Sequence, residues 1–224
     1  MLYNQLRKKI LNMKKQKVTF SKNQLRRLPI YLVFLKKCEA AGIKYINAQI
    51  VSDSLGFNKE QVRKDIAVMS TVGGIPNRGR DVSQLIRDIE KKLCINTYKS
   101  IIVGCGSLGK ALLNYKNEEG MGLDIVAGFD VNNDLINTKV NNIPIYDYHC
   151  MVGMLPELSA QIGIICVPSA VAQGVVDELI DNGIRAIWNF APTYIRVPKG
   201  IILSNVNMAA SLAEVSHKLS LLDK

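Results

Sequence analysis

Gly104, Gly106 and Gly109 form a G-x-G-x-x-G pattern between the apolar run Ile101-Ile102-Val103 and the helix-like run Lys110-Ala111-Leu112-Leu113. Strand before and helix after is the context of a Rossmann βα turn. Gly104 permits the tight turn, Gly106 lets backbone N–H groups approach a pyrophosphate, and Gly109 allows close helix-to-strand packing. The phosphates would then sit at the positive end of the following helix. A second apolar run, residues 123–129, ends at Asp130, at about the 20-residue separation expected of a ribose-binding acid. A carboxylate there accepts from a ribose hydroxyl and repels a 2′-phosphate, which predicts NAD(H) over NADP(H).

The chain of 224 residues has room for two domains, and its charge divides unevenly. Residues 1–94 carry 20 Lys/Arg against 7 Asp/Glu, a formal +13, whereas residues 95–224 carry 9 against 12, a formal −3. A polyanion, nucleic acid or an anionic membrane, is the natural partner of the first part. No apolar run reaches the roughly 18 residues that span a bilayer. Arg7, Lys8 and Lys9 interrupt the start too early for a signal-peptide core, so a cytoplasmic protein is expected.

The five cysteines, Cys38, Cys94, Cys105, Cys150 and Cys166, are odd in number and contain no C-x-x-C pair. This argues for a reducing compartment and against a metal site. Cys105 lies in the glycine turn, where a helix start would stabilise a thiolate. The plainer reading is a small residue filling a tight turn.

Residues 2–13 suggest a short basic amphipathic helix through Leu2, Leu6, Ile10 and Met13. Ser21 suits a helix cap for residues 22–41, whose Leu25, Leu28, Tyr31, Leu32 and Leu35 recur at helical spacing and whose Pro29 predicts a kink. Residues 47–55, the turn Gly56-Phe57-Asn58 and residues 59–69 have helix-turn-helix spacing. On the second of these helices Gln61, Arg63, Lys64 and Asp65 read as the polar face, with Val62, Ile66 and Met69 inward. Gln, Arg and Lys are side chains that reach base edges and phosphates. The glycine-rich residues 72–80 predict a loop placed as a wing, and residues 81–94 a helix. Asn96-Thr97 is the expected boundary, giving a winged-helix domain over 1–95 and a doubly wound Rossmann domain over 96–206, where apolar runs alternate with helical stretches. Residues 207–224 form a terminal helix whose Met208, Leu212, Val215, Leu219 and Leu222 make a narrow apolar seam. Such a seam suits a second subunit.

Leu25 to Leu35 (LRRLPIYLVFL), Gln61 to Asp65 (QVRKD), the glycine turn, Phe129-Asp130, Val167 to Gln173 (VPSAVAQ) and Asn189 to Pro198 (NFAPTYIRVP) together resemble the redox-sensing transcriptional repressor family Rex. The resemblance implies an NAD(H)-responsive homodimer with a domain-swapped C-terminal helix that binds an inverted-repeat operator in double-stranded DNA. It implies cofactor contacts at Gly104, Cys105, Gly106, Ser107, Leu108, Gly109, Asp130, Val167, Pro168, Asn189 and Met208, the last standing where the family often has phenylalanine. DNA contacts are expected from Lys22, Arg26 and Arg27, from Lys59, Gln61, Arg63 and Lys64, and from Arg78 and Arg80 in the wing.

Two regions depart from the family. Ile75-Pro76 replaces a basic pair in the wing, and Arg80 takes the place of a tyrosine. The family's switch moves an aspartate between an arginine and a tyrosine; here the arginine position is Val33 and the aspartate position Asn207, while Tyr115 remains. That loss predicts a weakened redox response; the competing reading is a neutral hydrogen bond between Tyr115 and Asn207 that closes the dimer in its place. Two other readings stay open: an NAD-dependent oxidoreductase, for which no proton donor is identifiable, and a DNA-binding regulator whose Rossmann domain is a scaffold or binds coenzyme A.

Overall fold

The computed structural model describes residues 20–76, 78–94, 98–115 and 124–222. The expected basic helix over 2–13, Asn77 of the wing and the Asn96-Thr97 boundary lie outside these residues. The chain divides into two compact units, Met1–Ile95 and Asn96–Lys224.

In the first unit, α1 (Lys22–Ala40) starts at a capping box: the Gln24 N–H donates to Ser21 Oγ at 3.2 Å and the Ser21 N–H donates to Gln24 Oε1 at 3.0 Å. The helix passes through Pro29 without ending. Leu28, Tyr31, Leu32, Leu35 and Cys38 form its buried face. After strand β1 (Tyr45–Ile46), α2 (Ala48–Leu55) is capped by Asn47, and α3 (Lys59–Met69) by Asn58, which accepts from the Glu60 and Gln61 N–H groups. Strand β2 (Arg80–Asp81) pairs antiparallel with β1, and Ile75 bridges Gly79 at the wing. Asp81 caps α4 (Val82–Leu93), whose Val82, Leu85, Ile86 and Ile89 are buried.

The second unit is a seven-stranded sheet. Its strands are β3 (Lys99–Val103), β4 (Asp124–Asp130), β5 (Lys139–Val140), β6 (Ile143–Asp147), β7 (Ile162–Ile165), β8 (Ala186–Asn189) and β9 (Ile202–Asn205). They lie in the order β5-β6-β4-β3-β7-β8-β9, parallel except for β5. Helices α5 (Ser107–Leu113), α6 (Met151–Leu158) and α7 (Ser169–Asp181) connect them, and α8 (Met208–Leu222) closes the described chain. Alternation along β3 sends Ile101 and Val103 into one core with Phe129, Leu155 and Val176, and Ile102 into another with Leu113, Ile145 and Ile164. The chain leaves β3 towards β4 and later returns on its other side at β7. That reversal opens a crevice at the strands' carboxyl ends, where α/β sheets bind ligands.

Ser100, on β3, is fully buried, and its Oγ has no hydrogen-bond partner among the described residues. Ser100→Ala removes that unmet group and is expected to raise stability by about 1 kcal/mol; a denaturant midpoint below that of the unmodified chain would contradict this.

No residue of α8 is buried. Its Met208, Leu212, Val215 and Leu219 are about 60 % exposed, at 64, 66, 62 and 58 %. Among the described residues no helix is long and apolar enough to cross a membrane, and no group of three or more His, Cys, Asp or Glu is placed to hold a metal ion.

Candidate functional site

Gly104 follows β3 at φ +92°, and a Cβ there would lie 2.7 Å from the backbone of Cys166. A Cβ on Gly109 would lie 2.0 Å from the Gly104 carbonyl oxygen, so α5 packs onto the turn only because no side chain intervenes. Around Gly106, by contrast, nothing lies within 4 Å of a Cβ position. The turn is tight where it meets protein and open where a phosphate would approach.

Asp130 holds the turn. Its Oδ2 accepts from the Cys105 N–H at 2.6 Å and its Oδ1 from the Asn132 N–H at 2.8 Å. A carboxylate has about four acceptor positions, so both oxygens retain capacity for ribose hydroxyls. The Cys105 side chain is fully buried, and burial first, then the neighbouring Asp130 charge, pushes its thiol up to about 12. Cys105 fills space and is not a reactive thiolate.

A cleft of about 1030 Å³ opens from this turn. Of the expected contacts, Gly104, Gly106, Leu108, Asp130, Val167, Pro168 and Met208 line it. Ser107 begins α5 and is exposed, while Cys105 and Gly109 support the turn from within. Asn189 requires correction: it is 1 % exposed, and its amide is spent on Ala191, Thr193 and Asn205. The cleft is lined instead by the residues that follow it, Phe190, Ala191 and Pro192.

Tyr148, Val171 and Gly174 also line the cleft and were not predicted. Tyr148 follows β6, a strand whose Pro144 hides its apolar alternation; its hydroxyl donates to Glu178 on α7. Burial first, and then Glu178, push the Tyr148 phenol up to about 12, so it stays a donor. A mainly apolar cleft with one carboxylate and an open glycine turn fits a dinucleotide. The glycine turn would receive its pyrophosphate and Asp130 a ribose.

In the first unit, Lys22 and Arg26 are exposed on α1, and Lys59, Gln61, Arg63 and Lys64 on α3. Arg63 pairs with Glu60 at 2.8 Å, but both are largely exposed, and such a pair is weak enough to exchange for a phosphate. Arg78 is exposed in the wing, whereas half-buried Arg80 donates to the Val72 carbonyl.

Arg27 and Asp65 depart from expectation. Asp65 is 2 % exposed. It accepts from Arg27 Nε at 2.8 Å, Arg27 Nη2 at 3.0 Å, the Tyr31 hydroxyl at 2.9 Å and Gln24 Nε2 at 3.2 Å. Arg27 therefore fastens α1 to α3 rather than facing outward.

Asp88 on α4 anchors the far end of α3, accepting from the Thr71 N–H at 2.7 Å, the Thr71 hydroxyl and Gln84. Burial alone would raise its pKa, but Thr71, Gln84 and Lys92 together hold it below the ordinary carboxyl value. Of the switch positions, Val33 is half-buried on α1, Tyr115 is exposed just after α5, and Asn207 caps α8 through the Ala210 N–H at 2.9 Å.

A winged helix-turn-helix unit joined to a doubly wound nucleotide-binding fold defines the class of protein. Residues 20–67 match the family described as putative DNA-binding protein N-terminus, and residues 95–193 the CoA binding domain family. The redox-sensing transcriptional repressor Rex of Bacteroides thetaiotaomicron is 36 % identical over 197 residues, covering 88 % of this chain and 89 % of that protein. Rex of Clostridium acetobutylicum is 34 % identical over 210 residues, covering 93 and 98 %. The crystal structure of RSP in complex with β-NAD+ and operator DNA superposes with a TM-score of 0.81 at 32 % identity, covering 92 % of this chain and 94 % of that one. The chain belongs to the Rex family of redox-sensing transcriptional repressors. Both of these relatives, similar over most of its length, are named as transcriptional repressors.

Proposed function

We propose that this protein acts as a homodimer that represses transcription from an inverted-repeat operator and reads the NADH/NAD state through the β3–β7 cleft. What carries this is the pairing, in one chain, of an exposed basic helix-turn-helix face with a glycine turn held by Asp130. NAD(H) is preferred over NADP(H) because Asp130 repels a 2′-phosphate. The exposed seam of α8 is covered by the second subunit, and the two α3 helices enter successive major grooves about 34–36 Å apart. Lys59, Gln61, Arg63 and Lys64 face the groove, and Lys22, Arg26 and Arg78 the phosphates. With DNA as partner, the cytoplasm is its compartment.

The redox response is weakened. Val33 and Asn207 are both uncharged, so no ion pair forms between these positions. Moving a two-state equilibrium from 1:99 to 99:1 takes about 10⁴-fold differential affinity, about 5.5 kcal/mol. A neutral Asn207 bond contributes only about 1 kcal/mol. NADH is therefore expected to release DNA incompletely. The test is binding to an inverted-repeat duplex selected by the unmodified chain, titrated with NADH and NAD+ at fixed salt, beside calorimetry with both and with coenzyme A. Full release by low NADH would overturn the weakened switch; coenzyme A binding in place of NADH would overturn the cofactor.

A further inference from the structure

Asn189 ends β8 opposite Asn205 at the end of β9. Its Oδ1 accepts from the Ala191 N–H at 2.9 Å, and its Nδ2 donates to the Ala191 and Thr193 carbonyls, both at 3.2 Å. These bonds shape the Phe190-Ala191-Pro192 turn that walls the cleft. The same Nδ2 donates to Asn205 Oδ1 at 2.9 Å, and the Asn189 carbonyl accepts from the Val206 N–H at 2.8 Å. From there the chain runs through Asn207, the cap of α8, to Met208, which lines the cleft again.

One buried amide therefore fixes both the cleft wall and the root of the helix that carries the exposed seam. A ligand pressing on Phe190 or Met208 meets two surfaces joined through this single group. The link is short: residues 206 and 207 alone separate Asn205 from Met208. The Nδ2 shares two hydrogens among three acceptors, so loss of the Asn205 bond leaves the amide paired with its own turn while releasing its side-chain hold on the root of α8.

We propose that the Asn189–Asn205 carboxamide pair is the positioning element that couples cleft occupancy to the placement of α8, and through α8 to DNA release. The coupling rests on the function proposed above. Asn189 touches no ligand in this scheme; it acts through the turn and the helix root. Asn205 is the component specific to α8, because Asn189 keeps Ala191 and Thr193 as partners when Asn205 is cut back.

The test compares Asn205→Ala and Asn205→Asp with the unmodified chain. Asn205 is exposed, so its truncation spares the core, and the aspartate retains an oxygen to accept from Asn189. NADH affinity is read by calorimetry. Coupling is read as the ratio of dissociation constants for the selected inverted-repeat duplex with and without saturating NADH. For Asn205→Ala the expected result is NADH affinity within about threefold of the unmodified chain and a coupling ratio lower by about fivefold, the factor carried by one neutral hydrogen bond. Asn205→Asp should keep the ratio. An unchanged ratio in Asn205→Ala, or equal losses in both variants, overturns the coupling role. If the unmodified chain binds no NADH, or NADH leaves its duplex affinity untouched, the functional reading itself fails.

Discussion

Asp65→Ala is expected to cost the winged-helix unit about 3–5 kcal/mol, because it strands a buried cation rather than merely deleting a contact. The Arg27 side chain is 13 % exposed and that of Asp65 3 %, so solvent screens the pair little. Removing the carboxylate leaves the Arg27 guanidinium, the Tyr31 hydroxyl and Gln24 without their common acceptor. Arg27→Leu with Asp65→Leu should recover the part due to the stranded cation, since replacing both charges by apolar groups is often neutral, while the Tyr31 hydroxyl and Gln24 still lack their acceptor. Burial first, then Asp65, push the Tyr31 phenol up to about 12, above its ordinary value of about 10. With the folded value raised, the Tyr31 contribution is full below about pH 10 and is lost as pH rises through about 12. Denaturant unfolding with operator binding checks this; a single-variant loss under about 1 kcal/mol would contradict it.

That cluster also shows where sequence reading stops. Asp65 stands three residues after Val62 and four before Met69, on the inward face of α3, and Arg27 stands four before buried Tyr31. The spacing therefore placed both inside, but charge read as exposure, because a single sequence does not show which acid meets which base 38 residues away. Asn189 was misplaced for a related reason. Its motif was visible, but its partners Thr193 and Asn205 are brought to it by a turn and a neighbouring strand. The glycine turn was legible because its requirements are local: strand, tight turn and helix follow one another within the motif. The winged-helix elements were legible too, since Asn47, Asn58 and Asp81 each cap the helix that follows them. Strand β5 was missed because it is only two residues long, and β6 because it carries Pro144.

Two glycine substitutions in the same turn separate folding from ligand binding, and their effects follow from the space around each. Gly109→Ala would drive a methyl to 2.0 Å from the Gly104 carbonyl oxygen, a backbone atom that cannot rotate away. Either α5 lifts from the turn or Gly104 gives up its hydrogen bond to the Phe129 carbonyl, and with it the geometry at Asp130. Overpacking of this kind costs about 1–3 kcal/mol, and a displaced turn is expected to weaken NADH by at least about tenfold, which is 1.4 kcal/mol. Gly106→Ala meets nothing within 4 Å, and its φ of −65° suits any residue, so stability should not change. Its methyl occupies the open side of the turn, where pyrophosphate must approach the backbone, so NADH affinity should fall alone. Thermal unfolding beside NADH calorimetry distinguishes the two. Unaltered NADH binding by Gly106→Ala would remove the phosphate assignment, and unaltered stability of Gly109→Ala would remove the close packing of α5 on the turn.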